Sequence, residues 1–66
     1  MSEGIVNKYS EDKEFGYIIK DDGKEVFVER SSIDIPGYKT LAPGEHVTFK
    51  VEETARGLKA KNVRKV

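Results

Sequence analysis

The chain contains no cysteine, no tryptophan, a single histidine and only two prolines. Without cysteine there is no disulfide framework, and with one histidine a structural zinc site would rest almost wholly on carboxylates, an unusual donor set for that metal. The fold therefore stands on packing and backbone pairing alone. No window approaches the roughly 20 apolar residues that a membrane-spanning helix needs. The opening Met1-Ser2-Glu3-Gly4 has neither the basic start nor the apolar run of an export signal. These absences predict a cytoplasmic chain with no membrane partner. An excess of charge is missing too, because twelve Lys and Arg balance twelve Asp and Glu. Attraction to a polyanion must come from how the charges are arranged, not from their sum. The residues after Leu58 are one such asymmetry, with Lys59, Lys61, Arg64 and Lys65 and no side-chain acid.

Sixty-six residues suffice for one domain, spanning residues 1–66, with one modest core. No repeat or low-complexity tract interrupts it, and Gly and Pro fall between short apolar segments. Five strands are predicted, at residues 4–10, 15–20, 25–28, 46–52 and 58–66, all rich in β-branched or aromatic residues. The rival reading, a helix over residues 10–15, is too short and has no partner stripe at helical spacing. Five antiparallel strands laid flat would leave open edges, and closure removes them. The predicted fold class is all-β, a small five-stranded antiparallel barrel of the oligonucleotide-binding type.

Asp21-Asp22-Gly23-Lys24 joins the second and third strands as a hairpin turn. Pairing Tyr17 with Phe27 places Phe15, Tyr17 and Ile19 on one face with Glu25, Phe27 and Glu29, and Ile18, Val26 and Val28 on the other. Val47, Phe49 and Val51 alternate with polar neighbours and are expected in the core. In the last strand Leu58 and Ala60 share a phase that Val63 breaks, which predicts a bulge. Ile33 and Leu41 anchor the long connection 30–45.

Aromatic side chains gain most from burial, so Phe15, Tyr17 and Phe27 on the face away from the aliphatic core call for a reason. One is that they stack nucleobases, with Lys8, Lys13, Arg30, Lys39, Arg56 and Lys59 neutralising phosphates. The other is that they form a second small core under the long loop, covered by Tyr38.

The motifs favour the first. Lys13-Glu14-Phe15-Gly16-Tyr17-Ile18 and Val26-Phe27-Val28-Glu29-Arg30 resemble the two ribonucleoprotein motifs of the cold-shock domain family. Gly37-Tyr38-Lys39-Thr40-Leu41 and Pro43-Gly44-Glu45-His46-Val47 resemble its long loop and fourth strand, and residues 56–63 its last hairpin. The resemblance covers the whole chain. It implies a barrel that binds single-stranded DNA or RNA, with Phe15, Tyr17, Phe27 and Tyr38 stacking on bases, Lys13 and Arg56 contacting backbone or base edges, and Tyr9 supporting the platform. Lys8 stands where the family usually has tryptophan, Glu29 and Arg30 where it has histidine and phenylalanine, Glu14 where it has glycine, and Glu25 where aspartate is common. These departures predict binding that is weaker, more salt-sensitive and less sequence-selective than the family norm.

Other candidates carry no chemistry. Asp21-Asp22-Gly23 lacks the ligand spacing of a calcium loop. Ser31-Ser32 has no base partner, His46 opens an amphipathic strand, and Glu11, Asp12 and Glu14 read as a solvated acidic turn. Neither a phosphate-cradling loop nor a nucleophile elbow occurs. The sequence therefore predicts a non-enzymatic monomer without cofactor, metal or small-molecule substrate, whose partner is unpaired RNA or DNA and whose role is that of a nucleic-acid chaperone or regulator of transcription and translation. A diverged barrel serving protein interaction, with nucleic-acid binding weak or lost, is the alternative.

Overall fold

The computed structural model describes residues 2–66. Five strands, β1 (Ser2–Ser10), β2 (Phe15–Lys20), β3 (Glu25–Glu29), β4 (His46–Thr54) and β5 (Gly57–Lys65), close into a barrel in the order β1-β2-β3-β5-β4. The only helix among the described residues is a 3-10 turn at Arg30–Ser32. Within the stretch 10–15, residues 11–14 form a turn between β1 and β2, as the missing helical stripe required.

The β2–β3 hairpin has the expected register, with Tyr17 opposite Phe27 and Phe15 opposite Glu29. Its turn closes through the Gly23 amide on the Lys20 carbonyl at 2.8 Å, and Gly23 has φ +88°, a conformation that only glycine adopts without strain. The Asp22 carboxylate accepts the Lys24 amide at 3.1 Å, which with the nearby Lys20 ammonium holds Asp22 below the usual carboxylate range.

Ile18, Val26, Val28, Val47, Phe49, Ala60 and Val63 are fully buried, with Val6, Ile33 and Leu41 nearly so. Apolar burial of this kind is the main term holding so small a barrel together. Ile33 and Leu41 anchor the long connection as expected, and Ile33 forms a parallel bridge to Val63. The Asp34 amide donates to the Val63 carbonyl at 2.7 Å. Val63 reaches the core because β5 is bulged. Thr48 faces Arg64 and Lys50 faces Lys61, so β5 holds one extra residue, and Asn62 turns there with φ +52°.

Val51 corrects its predicted place: it is 37% exposed, not buried. Among the described residues β1 pairs with β4 from His46 to Phe49, and beyond that point β4 pairs with β5 in a projecting arm. Alternation fixes which way a side chain points, not whether anything stands there to cover it.

A second bulge was not legible in the sequence. β1 pairs Val6 with Ile18 but Lys8 with Tyr17, leaving Asn7 as the extra residue. The insertion reverses the parity of the strand, and Lys8, which plain alternation puts inward with Val6, emerges on the outer face. Gly16 permits this approach. A Cβ at that position would lie 2.2 Å from the Lys8 carbonyl oxygen and 2.6 Å from the Tyr9 Cα, so only glycine lets the bulged β1 lie against β2.

Candidate nucleic-acid interface

Three rings occupy the outer face of the hairpin. Phe15 lies 5.4 Å from Phe27, Tyr17 lies 5.8 Å from Phe27, and Phe15 and Tyr17 meet edge-on at 6.3 Å. All three are partly buried, in contact with one another, and each lines an open groove. Tyr38 does not cover them: it is 63% exposed. The reading of these residues as a second core closed by Tyr38 therefore fails, because Tyr38 is exposed and the rings line open grooves.

The grooves around the rings gather the predicted site residues. Lys8, Tyr9 and Lys13 flank Phe15 and Tyr17 on the β1 side. Lys13, Arg30 and Lys39 lie beside Phe15 and Phe27 at the long-loop side. Arg56 and Lys59 lie beside Tyr17 and Phe27 at the β4–β5 arm. Tyr38 joins through Arg30, whose guanidinium carbon is 5.7 Å from its ring centroid. The Lys8 ammonium sits 5.6 Å from the Tyr17 centroid, so the bulge at Asn7 delivers a cation where plain alternation would have buried one.

Tyr9 differs from the other aromatics. It packs against the core, and its hydroxyl is buried with no hydrogen-bond partner among the described residues. That burial pushes its pKa up, with Arg30 opposing. It packs between the core and the groove beside Phe15 and Tyr17.

The electrostatics are less open than the sequence suggests. Arg30 Nη1 donates to Glu14 Oε2 at 2.7 Å, and Lys59 Nζ lies 2.6 Å from Glu29 Oε1. These two carboxylates raise the pKa values of the arginine and the lysine they hold. By contrast, Lys8, Lys13, Lys39 and Arg56 form no ion pair among the described residues. Lys39 instead donates to the Ile33 carbonyl at 3.0 Å, which keeps its charge while tying down the loop.

The acidic turn is exposed but not merely solvated, a correction to its sequence reading. Glu11 accepts the Tyr38 hydroxyl through one carboxylate oxygen and the Thr40 hydroxyl through the other, both at 3.0 Å. It clasps the long loop to the β1–β2 turn, and the bond to Glu11 raises the Tyr38 pKa. Nothing in the local sequence marked this contact, which spans 27 and 29 residues. Leu58 and Thr54 were also missed as groove-lining residues, because the β4–β5 arm that brings them to Tyr17 extends past the barrel. Among the described residues no three His, Cys, Asp or Glu side chains converge where a metal ion would sit.

Comparison with known proteins agrees with this geometry. Residues 2–66 match the model of the 'Cold-shock' DNA-binding domain. The chain belongs to the cold-shock domain family. The chain is 43% identical to cold shock protein CspC of Bacillus subtilis over 65 residues, 98% of each chain. It is 48% identical to cold shock-like protein CspG of Shewanella violacea over 61 residues, 91% of this chain and 87% of that one. It is 41% identical to the major cold shock protein of Streptococcus pyogenes over all 66 residues, 98% of that protein. A cold-shock domain is a nucleic-acid-binding module, so single-stranded nucleic acid is the partner and chaperoning of such strands the role. The alternative, a barrel given over to protein interaction, is not favoured.

Proposed function

We propose that Lys8, Tyr9, Lys13, Phe15, Tyr17, Phe27, Arg30, Tyr38, Lys39, Arg56 and Lys59 form the surface on which this cold-shock domain holds unpaired RNA or DNA. One observation carries the reading: three rings in mutual contact on the outer face of the hairpin, surrounded by four cations that form no ion pair among the described residues. The rings supply stacking surfaces that accept any base, at roughly 1 to 3 kcal/mol each. Lys8, Lys13, Lys39 and Arg56 supply contacts for phosphates. A strand so held cannot pair with itself, which is how a stacking platform acts as a chaperone.

The same reading takes the chain as one monomeric domain over residues 1–66, working in the cytoplasm without catalysis, cofactor or small-molecule substrate. No helix among the described residues is long and apolar enough to cross a membrane. The platform has no acid, base and nucleophile set of the kind catalysis needs.

Fluorescence titration with a short pyrimidine-rich single strand at several salt concentrations tests the function. Four phosphate contacts give a log–log salt slope of roughly −3, at about −0.7 for each contact to a single strand. Saturable binding that weakens with salt and tolerates a change of base sequence supports the reading. No binding at low salt, or binding indifferent to salt, overturns it.

A further inference from the structure

Four groups at or beside the platform are already occupied by three of the protein's own carboxylates. Glu14 holds the Arg30 guanidinium at 2.7 Å, Glu29 holds the Lys59 ammonium at 2.6 Å, and Glu11 holds the hydroxyls of Tyr38 and Thr40. The first two pairs lie within the grooves beside the rings. Glu29 lines both the groove with Phe15 and Arg30 and the groove with Tyr17 and Arg56, and Glu14 lines the former. Glu29 is opposite Phe15 in the register, so its carboxylate rises from the same face as the platform.

A carboxylate and a phosphate offer a cation the same thing, an anionic oxygen that accepts charge-assisted hydrogen bonds. Resting on the assignment of this face to nucleic acid, we infer that Glu14 and Glu29 are affinity-setting residues that occupy the phosphate-binding groups of Arg30 and Lys59. Strand binding at those two positions is then an exchange. A phosphate takes the cation, but the displaced carboxylate is left beside it, so the pair brings no net positive charge to the phosphate and few of the counterions condensed on the strand are released there. Only the unpaired Lys8, Lys13, Lys39 and Arg56 contribute fully to the electrostatic part of binding. The chain thus carries six cations at the platform but binds with the electrostatics of about four.

The competing account makes the two pairs ordinary surface salt bridges. Their side chains are about half exposed or somewhat less, from 30% for Lys59 to 56% for Glu14, and pairs of that kind contribute little to stability. The two accounts separate on the response to salt, which stability does not touch.

The experiment uses the whole chain with Glu14→Gln, Glu29→Gln, the double variant and, as control, Glu29→Gln combined with Lys59→Gln. Each is titrated with the same oligothymidine between about 0.05 and 0.3 M salt, below the melting transition checked by circular dichroism. Glutamine keeps the side-chain volume and removes only the charge. Each freed cation adds one phosphate contact, which at ~0.1 M salt is about a five-fold gain in affinity and a salt slope steeper by about 0.7. The double variant gains about 25-fold with a slope steeper by about 1.4, and the Lys59→Gln control loses the Glu29→Gln increment. Affinity and slope unchanged from wild type in both single variants overturn the inference while leaving the platform standing. If only Glu29→Gln responds, the assignment of Glu14 falls and that of Glu29 holds. Should neither wild type nor any variant bind at the lowest salt, the functional reading itself is overturned and the inference with it.

Discussion

The two faces of the β2–β3 hairpin are built from the same eleven residues and do opposite things. Ile18, Val26 and Val28 point inward and are wholly buried, whereas Phe15, Tyr17 and Phe27, one residue out of phase, stand half-covered at the margin of three open grooves. The inner side chains are aliphatic and branched, suited to dense packing, and the outer ones flat and polarisable, suited to a flat partner. On the proposed reading, stability and binding reside on alternate residues of one pair of strands. A change to one face should register in one measurement and largely spare the other.

The largest effect belongs to the inner side of the barrel. Phe49 is its biggest fully buried side chain, and Phe49→Ala should cost about 3 to 5 kcal/mol. A chain this size has roughly 3 to 10 kcal/mol in all. Thermal unfolding should therefore move to near or below room temperature, and binding should disappear only because the fold does. A variant that keeps its melting temperature within a few degrees would show that the core does not carry the barrel.

Phe27→Ala is the matched change on the outer face. Phe27 touches both other rings of the platform, so its loss removes one stacking surface and loosens two more. Affinity for a single strand should fall by a factor of about 5 to 150, the equivalent of 1 to 3 kcal/mol for one base. The melting temperature should drop less than for Phe49→Ala, because the ring is only partly buried and Phe49 is wholly so. Equal loss of stability and affinity in Phe27→Ala would erase the distinction between the faces.

The hairpin was legible because its signal is local: alternation over six and five residues joined by a glycine turn fixes register and faces together. The motifs of the cold-shock family are equally local, and they located the rings. What the sequence hid depends on contacts made across the fold. The four basic residues after Leu58 look like an electropositive tract, yet in the barrel Lys59 meets Glu29, Lys61 meets Glu52, Arg64 meets Asp34 and Lys65 meets Glu45. Those acids come from β3, β4 and the long connection, so the asymmetry in sequence is cancelled in space. Likewise the β1 bulge that turns Lys8 outward leaves no mark on residues 4–10 themselves, and its trace is Gly16 on the neighbouring strand.

A smaller effect separates the long connection from the rings beside it. Glu45 accepts the Ala42 amide at 2.6 Å and pairs with Lys65 at 3.2 Å, and the amide bond above all lowers its pKa. A carboxyl whose pKa is depressed on folding contributes stability above its unfolded value, near 4.3, and loses that contribution as pH falls through the folded value. The stability of wild type should therefore decline on acidification below about pH 4.3 more steeply than that of Glu45→Gln. The difference should stay under about 1 kcal/mol, given the partly solvated site. Parallel slopes of urea-unfolding free energy against pH in the two proteins would deny Glu45 this part.

An effect of similar size tests the turn that leads into the first ring. Glu14 precedes the first ring with φ +61°, a left-handed conformation that costs a residue with a Cβ about 1 kcal/mol. The backbone requires it there, because the Glu14 amide donates to Ser10 at 2.8 Å and its carbonyl accepts the Arg30 amide at 2.9 Å. Glu14→Gly keeps both of those bonds, relieves the strain and gives up only the surface pair with Arg30, itself a minor contributor to stability. The melting temperature should rise by a few degrees, since 1 kcal/mol corresponds to about 4 to 8 °C in a domain of this size. Glu14→Gln keeps the strain and loses the same pair, so it should melt at or slightly below wild type. A rise in Glu14→Gln matching that in Glu14→Gly would place the cost of Glu14 in its charge and not in its backbone.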